Sequence, residues 1–166
     1  MVSFLHAVRV PALMAACLLF PAGCGGSDPA HQADDAQSAL SEGHYAEARS
    51  KAEAALKEAG ASDKALAWKL ERIRVEAIAR QGDGAEVLGT AGRLSGAYPQ
   101  QCDAFFYGKL GTLLVEAGEP TRAVEVAHAG IEKFPDRKSD FDGLIRSIEE
   151  SGDAEAIAKL KAMGYL

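Results

Sequence analysis

Any reaction run by this 166-residue chain would have to come from a short set of side chains. Cys102 is the thiol that stands apart from the N-terminal region, just before a predicted helix start, where the positive end of the helix dipole lowers a thiol pKa. Asp103 beside it opposes that effect. A structural thiol is the simpler reading, with a thiol-dependent periplasmic enzyme using Cys102 as the alternative. The histidines are His6, His31, His44 and His128. None pairs with another His or Cys at metal-ligand spacing, so no metal is expected and His44 reads as an exposed turn residue. Gly82 and Gly84 fall in a helix-to-helix turn, whereas cradling a pyrophosphate takes a strand-to-helix turn. No cofactor is expected, and no enzyme activity. Binding chemistry is better represented. Lys69, Arg72, Glu76 and Arg80 fall in one quadrant of a helical wheel, and a mainly basic stripe on an acidic protein could select an acidic segment or a C-terminal carboxylate. The plainer alternative is a set of i,i+4 ion pairs on a solvated face, each contributing a few tenths of a kcal/mol.

These side chains are carried by a repeating frame. Turn signatures recur at Gly43-His44-Tyr45, Gly82-Asp83-Gly84, Gly118-Glu119-Pro120 and Gly152-Asp153-Ala154, with glycines 39, 36 and 34 residues apart. Each of the first three is followed 17 residues later by a helix breaker, Gly60, Pro99 or Pro135. A fixed distance from turn to breaker means a fixed helix length. Helical patterning runs from Ala33 to the C-terminus without useful strand-like alternation, and a self-similar unit of this size points to stacked helical hairpins, each burying its apolar face on the next.

The third unit is the clearest. Tyr107, Leu110, Gly111 and Leu114 form an apolar stripe on its first helix, and Ala123, Ala127, Gly130, Ile131 and Phe134 form one on its second, ended by Pro135. This pattern resembles the tetratricopeptide repeat (TPR). The resemblance covers most of residues 33–166 and implies an all-α fold: a right-handed superhelical solenoid of antiparallel helix hairpins, about three to four TPR-like units. In that family the first helix of each hairpin lines a concave groove that takes extended peptides or partner helices. By resemblance, Phe105, Lys109, Thr112 and Glu116 continue the Lys69, Arg72, Glu76 and Arg80 surface, as do Asp142 and Arg146 in the fourth unit. Phe105 is either a groove anchor or a core residue. The carboxylate clamp of chaperone-binding members is not present, since Ala33, Gln37 and Ile73 stand at its matching places.

Other units depart from the pattern. Glu71 and Arg74 occupy places where the family has large apolar residues, so the second unit's first helix is expected to be irregular. The Ala-rich first hairpin is expected to be a fraying end. The fourth unit, with Leu144, Ile145 and Ile148 followed by Ile157, Leu160, Met163 and Leu166, is expected to be a capping helix pair.

Residues 1–23 read as an export signal, with an apolar run from Val10 to Phe20 that is too short for a stable membrane span. The run through Ala22-Gly23-Cys24 resembles a bacterial lipoprotein signal, although Pro21 stands where an aliphatic residue is usual, and Cys17 is a competing site. The resemblance implies lipidation of Cys24, which would become the new N-terminus ahead of a polar linker spanning 24–32. It also implies anchoring to a membrane surface, at roughly 0.8 kcal/mol per buried methylene. Gly25, in place of the Asp associated with inner-membrane retention, implies the periplasmic face of the outer membrane. The alternative is an ordinary secretory signal that releases a periplasmic protein. The 143 residues after Gly23 carry 17 Lys and Arg against 24 Asp and Glu, a net charge of −7 that argues against nucleic acid. The expected function is a non-enzymatic envelope lipoprotein that binds a protein or peptide as a scaffold or assembly factor. A self-associating structural module is the alternative, and the oligomeric state is open.

Overall fold

The computed structural model describes residues 28–59 and 63–166. The expectations placed on the export signal, Cys17, Cys24, residues 25–27 of the linker and the Gly60 breaker lie outside the described residues. The described residues form α1 (Pro29–Ser41), α2 (Tyr45–Ala59), α3 (Lys64–Arg80), α4 (Gly84–Ala97), α5 (Ala104–Glu116), α6 (Pro120–Lys133), a 3-10 segment (Pro135–Phe141), α7 (Asp142–Glu150) and α8 (Ala154–Ala162), with no strand among them.

The four glycines of the turn signatures each end a helix in the left-handed region, with φ of 83° at Gly43, 79° at Gly82, 83° at Gly118 and 72° at Gly152. In the first three turns the next residue's N–H reaches back five residues: His44 to Ala39 O at 2.9 Å, Asp83 to Ile78 O at 3.3 Å and Glu119 to Leu114 O at 2.8 Å. This closure satisfies carbonyls that the helix end would leave open, and it needs the positive φ that glycine adopts freely. The fourth turn uses a side chain instead: Ser151 Oγ donates to Ile148 O at 2.6 Å and accepts from the Asp153 N–H at 3.3 Å. Aspartates then start the next helix, Asp83 accepting from Glu86 N at 3.1 Å and Asp153 from Ala156 N at 2.7 Å. Two adjacent residues thus stop one helix and begin another.

Helices α1, α3, α5 and α7 contact one another in sequence, as do α4, α6 and α8. Helix α3 is shared by two apolar clusters. Leu70, Ile73 and Ala77 pack with Ala33, Ala36, Ala39, Ala48, Ala52 and Ala55 of the first hairpin, while Val75, Ile78 and Ala79 join the larger cluster that runs to Leu160 of α8. The Ala-rich hairpin, expected to fray, forms two continuous helices. Its small side chains let the backbones approach, and α2 packs on α3 as extensively as on α1.

Helix α3, expected to be irregular, is unbroken from Lys64 to Arg80. Glu71 and Arg74 fit because they are ion-paired across three helices. Arg93 of α4 grips Glu71 through both guanidinium nitrogens at 2.8 Å. Arg74 donates to Glu53 of α2 at 3.0 Å and to Glu86 of α4 at 3.1 Å, and Arg49 of α2 reaches the same two carboxylates at 3.2 and 2.9 Å. The hydrogen bond from Arg74 holds the Glu53 carboxyl below its ordinary range, and the bond that Arg93 donates to Glu71 raises the Arg93 guanidinium. Bidentate, charge-assisted bonds of this kind fix geometry as well as adding energy.

Small residues set the spacing on the C-terminal side. A Cβ on Gly130 of α6 would lie 2.5 Å from Phe141 Cζ and 2.8 Å from Tyr107 Cβ, and one on Gly111 of α5 would run into the Leu144 side chain. Pro135 ends α6, and the 3-10 segment then carries the fully buried Phe141 ring back over Gly130. In the last hairpin Leu144, Ile145, Ile148 and Leu160 are buried, while Ile157 and Met163 are half-buried. Leu166, the last apolar residue of that pair, is 46% exposed. The chain turns at Gly164 (φ 74°), and it is Tyr165 that returns to α6, where its hydroxyl lies 2.7 Å from His128 Nδ1. No described helix is long and apolar enough to cross a membrane.

Candidate binding cleft

Lys69, Arg72, Glu76 and Arg80 do lie along one face of α3, and the neighbouring helices bring charged partners to that face. Lys69 Nζ donates to Asp34 Oδ1 of α1 at 2.6 Å, Lys109 Nζ of α5 donates to Glu76 Oε1 at 2.6 Å, and Arg80 Nη1 donates to Glu116 Oε2 of α5 at 2.8 Å. Arg72 Nη1 lies 4.0 Å from Glu76 Oε1 on its own helix, and Arg80 also sits over the Tyr45 ring at 5.8 Å. The stripe is therefore the middle rail of an ion-pair ladder across α1, α3 and α5, neither an open basic track nor chiefly a set of i,i+4 pairs. At Lys69, Lys109 and Arg80 an acidic ligand would have to displace a carboxylate already in place, while Arg72 shares Glu76 with Lys109. Most rungs are half-exposed, where such a pair contributes about 1 kcal/mol or less.

Phe105 is 73% exposed, so its side chain is no part of the core. It stands at the mouth of a cleft of about 690 Å³ lined by Ala104, Phe105, Gly108, Lys109, Thr112, Leu113 and Glu116 of α5, Arg137 and Asp140 of the 3-10 segment, and Leu144 of α7. All four α5 residues singled out from the sequence line this one cleft. Phe105 and Lys109 also border a smaller depression of about 170 Å³ on the α3 side, which includes Trp68, Arg72 and Glu76. Asp142 and Arg146 are exposed on α7 but line neither hollow.

The cleft arises because α7 begins only at Asp142, so the 3-10 segment faces α5 alongside it. Leu113 and Leu144 give it buried apolar walls. The charged rim groups are matched: Lys109 with Glu76, Glu116 with Arg80, and Arg137 Nη2 with Asp140 Oδ2 at 2.5 Å. Thr112 Oγ1 donates to Gly108 O in its own helix at 3.0 Å. A Cβ on Gly108 would meet nothing within 4 Å, so the α5 backbone itself is open to an approaching ligand. Sequence reasoning missed Gly108, Leu113, Arg137 and Asp140. The charged run between Pro135 and Phe141 is the available signal, and reading Pro135 only as a helix stop passes over it.

Cys102 is fully buried, and burial pushes its thiol above the ordinary value, with a hydrogen bond from Ser95 acting the other way. The helix-dipole argument for a reactive thiolate is overridden by this desolvation. His44 is an exposed turn residue 3.5 Å from Glu42. Among the described residues no group of three or more His, Cys, Asp or Glu side chains could hold a metal ion. Comparison with protein-family models, with curated proteins and with solved structures found no match to this chain.

Proposed function

We propose that this chain is a non-enzymatic protein-binding scaffold of the cell envelope, built as a right-handed superhelix of four tetratricopeptide-like hairpins that presents the cleft between α5 and α7 to its ligand. The observation that carries this reading is Phe105. A benzyl side chain left in water forgoes roughly 1.5–3 kcal/mol of burial free energy, and this one borders a cleft with apolar walls. Covering it with a partner would recover that energy. The side-by-side order of α1, α3, α5 and α7 and the recurring glycine turns support the superhelical description. Lipidation of Cys24 would tether the domain closely. Only four residues lie between Cys24 and Pro29, so the five steps of chain span at most about 18 Å when extended, and the domain would work near a membrane surface.

Self-association through end repeats draws little from the surface. Phe105 and Leu166 are the exposed large apolar side chains among the described residues, and Phe105 belongs to the third of the four hairpins. The test is in-cell photo-crosslinking from Thr112, exposed in the cleft, with Glu132 on α6 as the control. A discrete heterologous adduct from Thr112 and none from Glu132 is the expected result. Equal adducts from both sites, or none from either, would overturn the assignment of the cleft, and adducts to the chain itself would replace it with self-association.

A further inference from the structure

Granting that the cleft binds a partner, its chemistry restricts what the partner can present. We infer that the cleft takes an uncharged segment of a partner protein bearing bulky apolar side chains, not the acidic or carboxylate-ended segment that the basic stripe implies when read from the sequence. Every charged group on the rim is neutralised from within the protein. Lys109 holds Glu76 at 2.6 Å, Arg80 holds Glu116 at 2.8 Å, and Arg137 holds Asp140 at 2.5 Å. A ligand carboxylate would have to break one of these pairs for a net exchange of one carboxylate for another, while entering a protein whose net charge is −6. An apolar side chain meets no such competition. It gains the walls formed by Leu113 and Leu144 and covers Phe105. The volume of about 690 Å³ lies within the roughly 300–1,000 Å³ of hollows that enclose a ligand, enough for several side chains. Gly108, whose Cβ would meet nothing within 4 Å, leaves room for the ligand to approach the α5 backbone.

Complementarity of this kind makes binding insensitive to salt, because no net charge is neutralised on association. The test is to pan a random phage-displayed peptide library on the full chain, with Gly108→Leu and Phe105→Ser as parallel targets. Gly108→Leu fills the cleft from an open helical position and Phe105→Ser alters an exposed side chain, so both should remain folded, which circular dichroism checks. The expected winners carry two or more bulky apolar residues without net charge and lose at least about tenfold in affinity on either variant. Their affinity changes by less than about threefold between roughly 50 and 500 mM salt. Winners dominated by Asp, Glu or a free C-terminal carboxylate, with steep salt dependence and loss on both variants, would overturn the apolar specificity while leaving the cleft as the binding site. Peptides indifferent to both variants, or no enrichment at all, would overturn the cleft itself and with it the scaffold reading.

Discussion

The same glycine-to-alanine change should have opposite effects at two positions. At Gly130 the new methyl would sit 2.5 Å from Phe141 Cζ, 2.7 Å from Phe141 Cε1 and 2.8 Å from Tyr107 Cβ, against roughly 3.5–4.0 Å for relaxed carbon contacts. Neither neighbour has room to yield: Phe141 is fully buried, and Tyr107 is held by its hydroxyl 2.6 Å from Ser95 Oγ. Overpacking of this kind costs about 1–3 kcal/mol, and the helix-propensity gain of alanine over glycine offsets about 1 kcal/mol of it. The middle of the clash range, about 2 kcal/mol, less that offset leaves a net loss of about 1 kcal/mol for Gly130→Ala. At Gly108 no clash opposes the propensity gain, so Gly108→Ala should gain about 0.5–1 kcal/mol. The assay is urea unfolding followed by fluorescence of Trp68, the chain's one tryptophan, which packs against the Tyr98 and Phe106 rings at 5.3 and 5.6 Å. Equal m-values would assign the shift in midpoint to stability rather than to the unfolded ensemble. A Gly130→Ala protein as stable as the parent would refute the packing argument and show that the 3-10 segment gives way.

Two further expectations concern the ion pairs. Glu71→Ala should cost about 1–3 kcal/mol, since it strips a bidentate partner from Arg93 and leaves a hole beside Arg74 among three helices; a loss below about 0.5 kcal/mol in the same urea assay would mean that solvent already screens the network. The acid limb of stability should fall in a defined direction. Glu53 is held below its ordinary value of 4.5 by the hydrogen bond from Arg74. Glu125 is also held below it, where burial works against the shift and hydrogen bonds from Lys159 and Arg122 outweigh it. A carboxyl whose folded pKa is depressed stabilises the fold above its unfolded pKa and loses that contribution as pH falls through the folded value. Unfolding free energy should thus be level from neutrality down to about pH 5 and drop below that, and Glu53→Gln should be less stable at neutral pH with a shallower acid slope. An acid slope unchanged by Glu53→Gln would remove Glu53 as its source.

The turns were legible because their chemistry is local. A glycine that ends a helix and an aspartate that caps the next act within six residues of chain, and Gly82-Asp83 and Gly152-Asp153 announce both. The charges were misread because their partners are one repeat away. Lys69 and Asp34, Lys109 and Glu76, and Arg80 and Glu116 are 35, 33 and 36 residues apart, beyond the reach of a wheel drawn for a single helix. Pairing charges at the spacing of the turn glycines would have exposed the ladder. Glu71 and Arg74 looked like flaws in an apolar pattern for the same reason: Arg93, Glu53 and Glu86 sit on other helices.

The ladder also locates the cleft. Ion pairs join α1 to α3 and α3 to α5, and among the described residues none joins α5 to α7. At that step the side-chain bridges stop, a 3-10 segment enters beside the last hairpin, and the most exposed aromatic side chain of the described core-forming helices appears at Phe105. A repeat that closed every step with the same rungs would have offered a partner only matched charges. Interrupting the pattern once leaves an apolar gap between matched charges, and that gap, with Phe105 at its edge, is what the proposed binding role rests on.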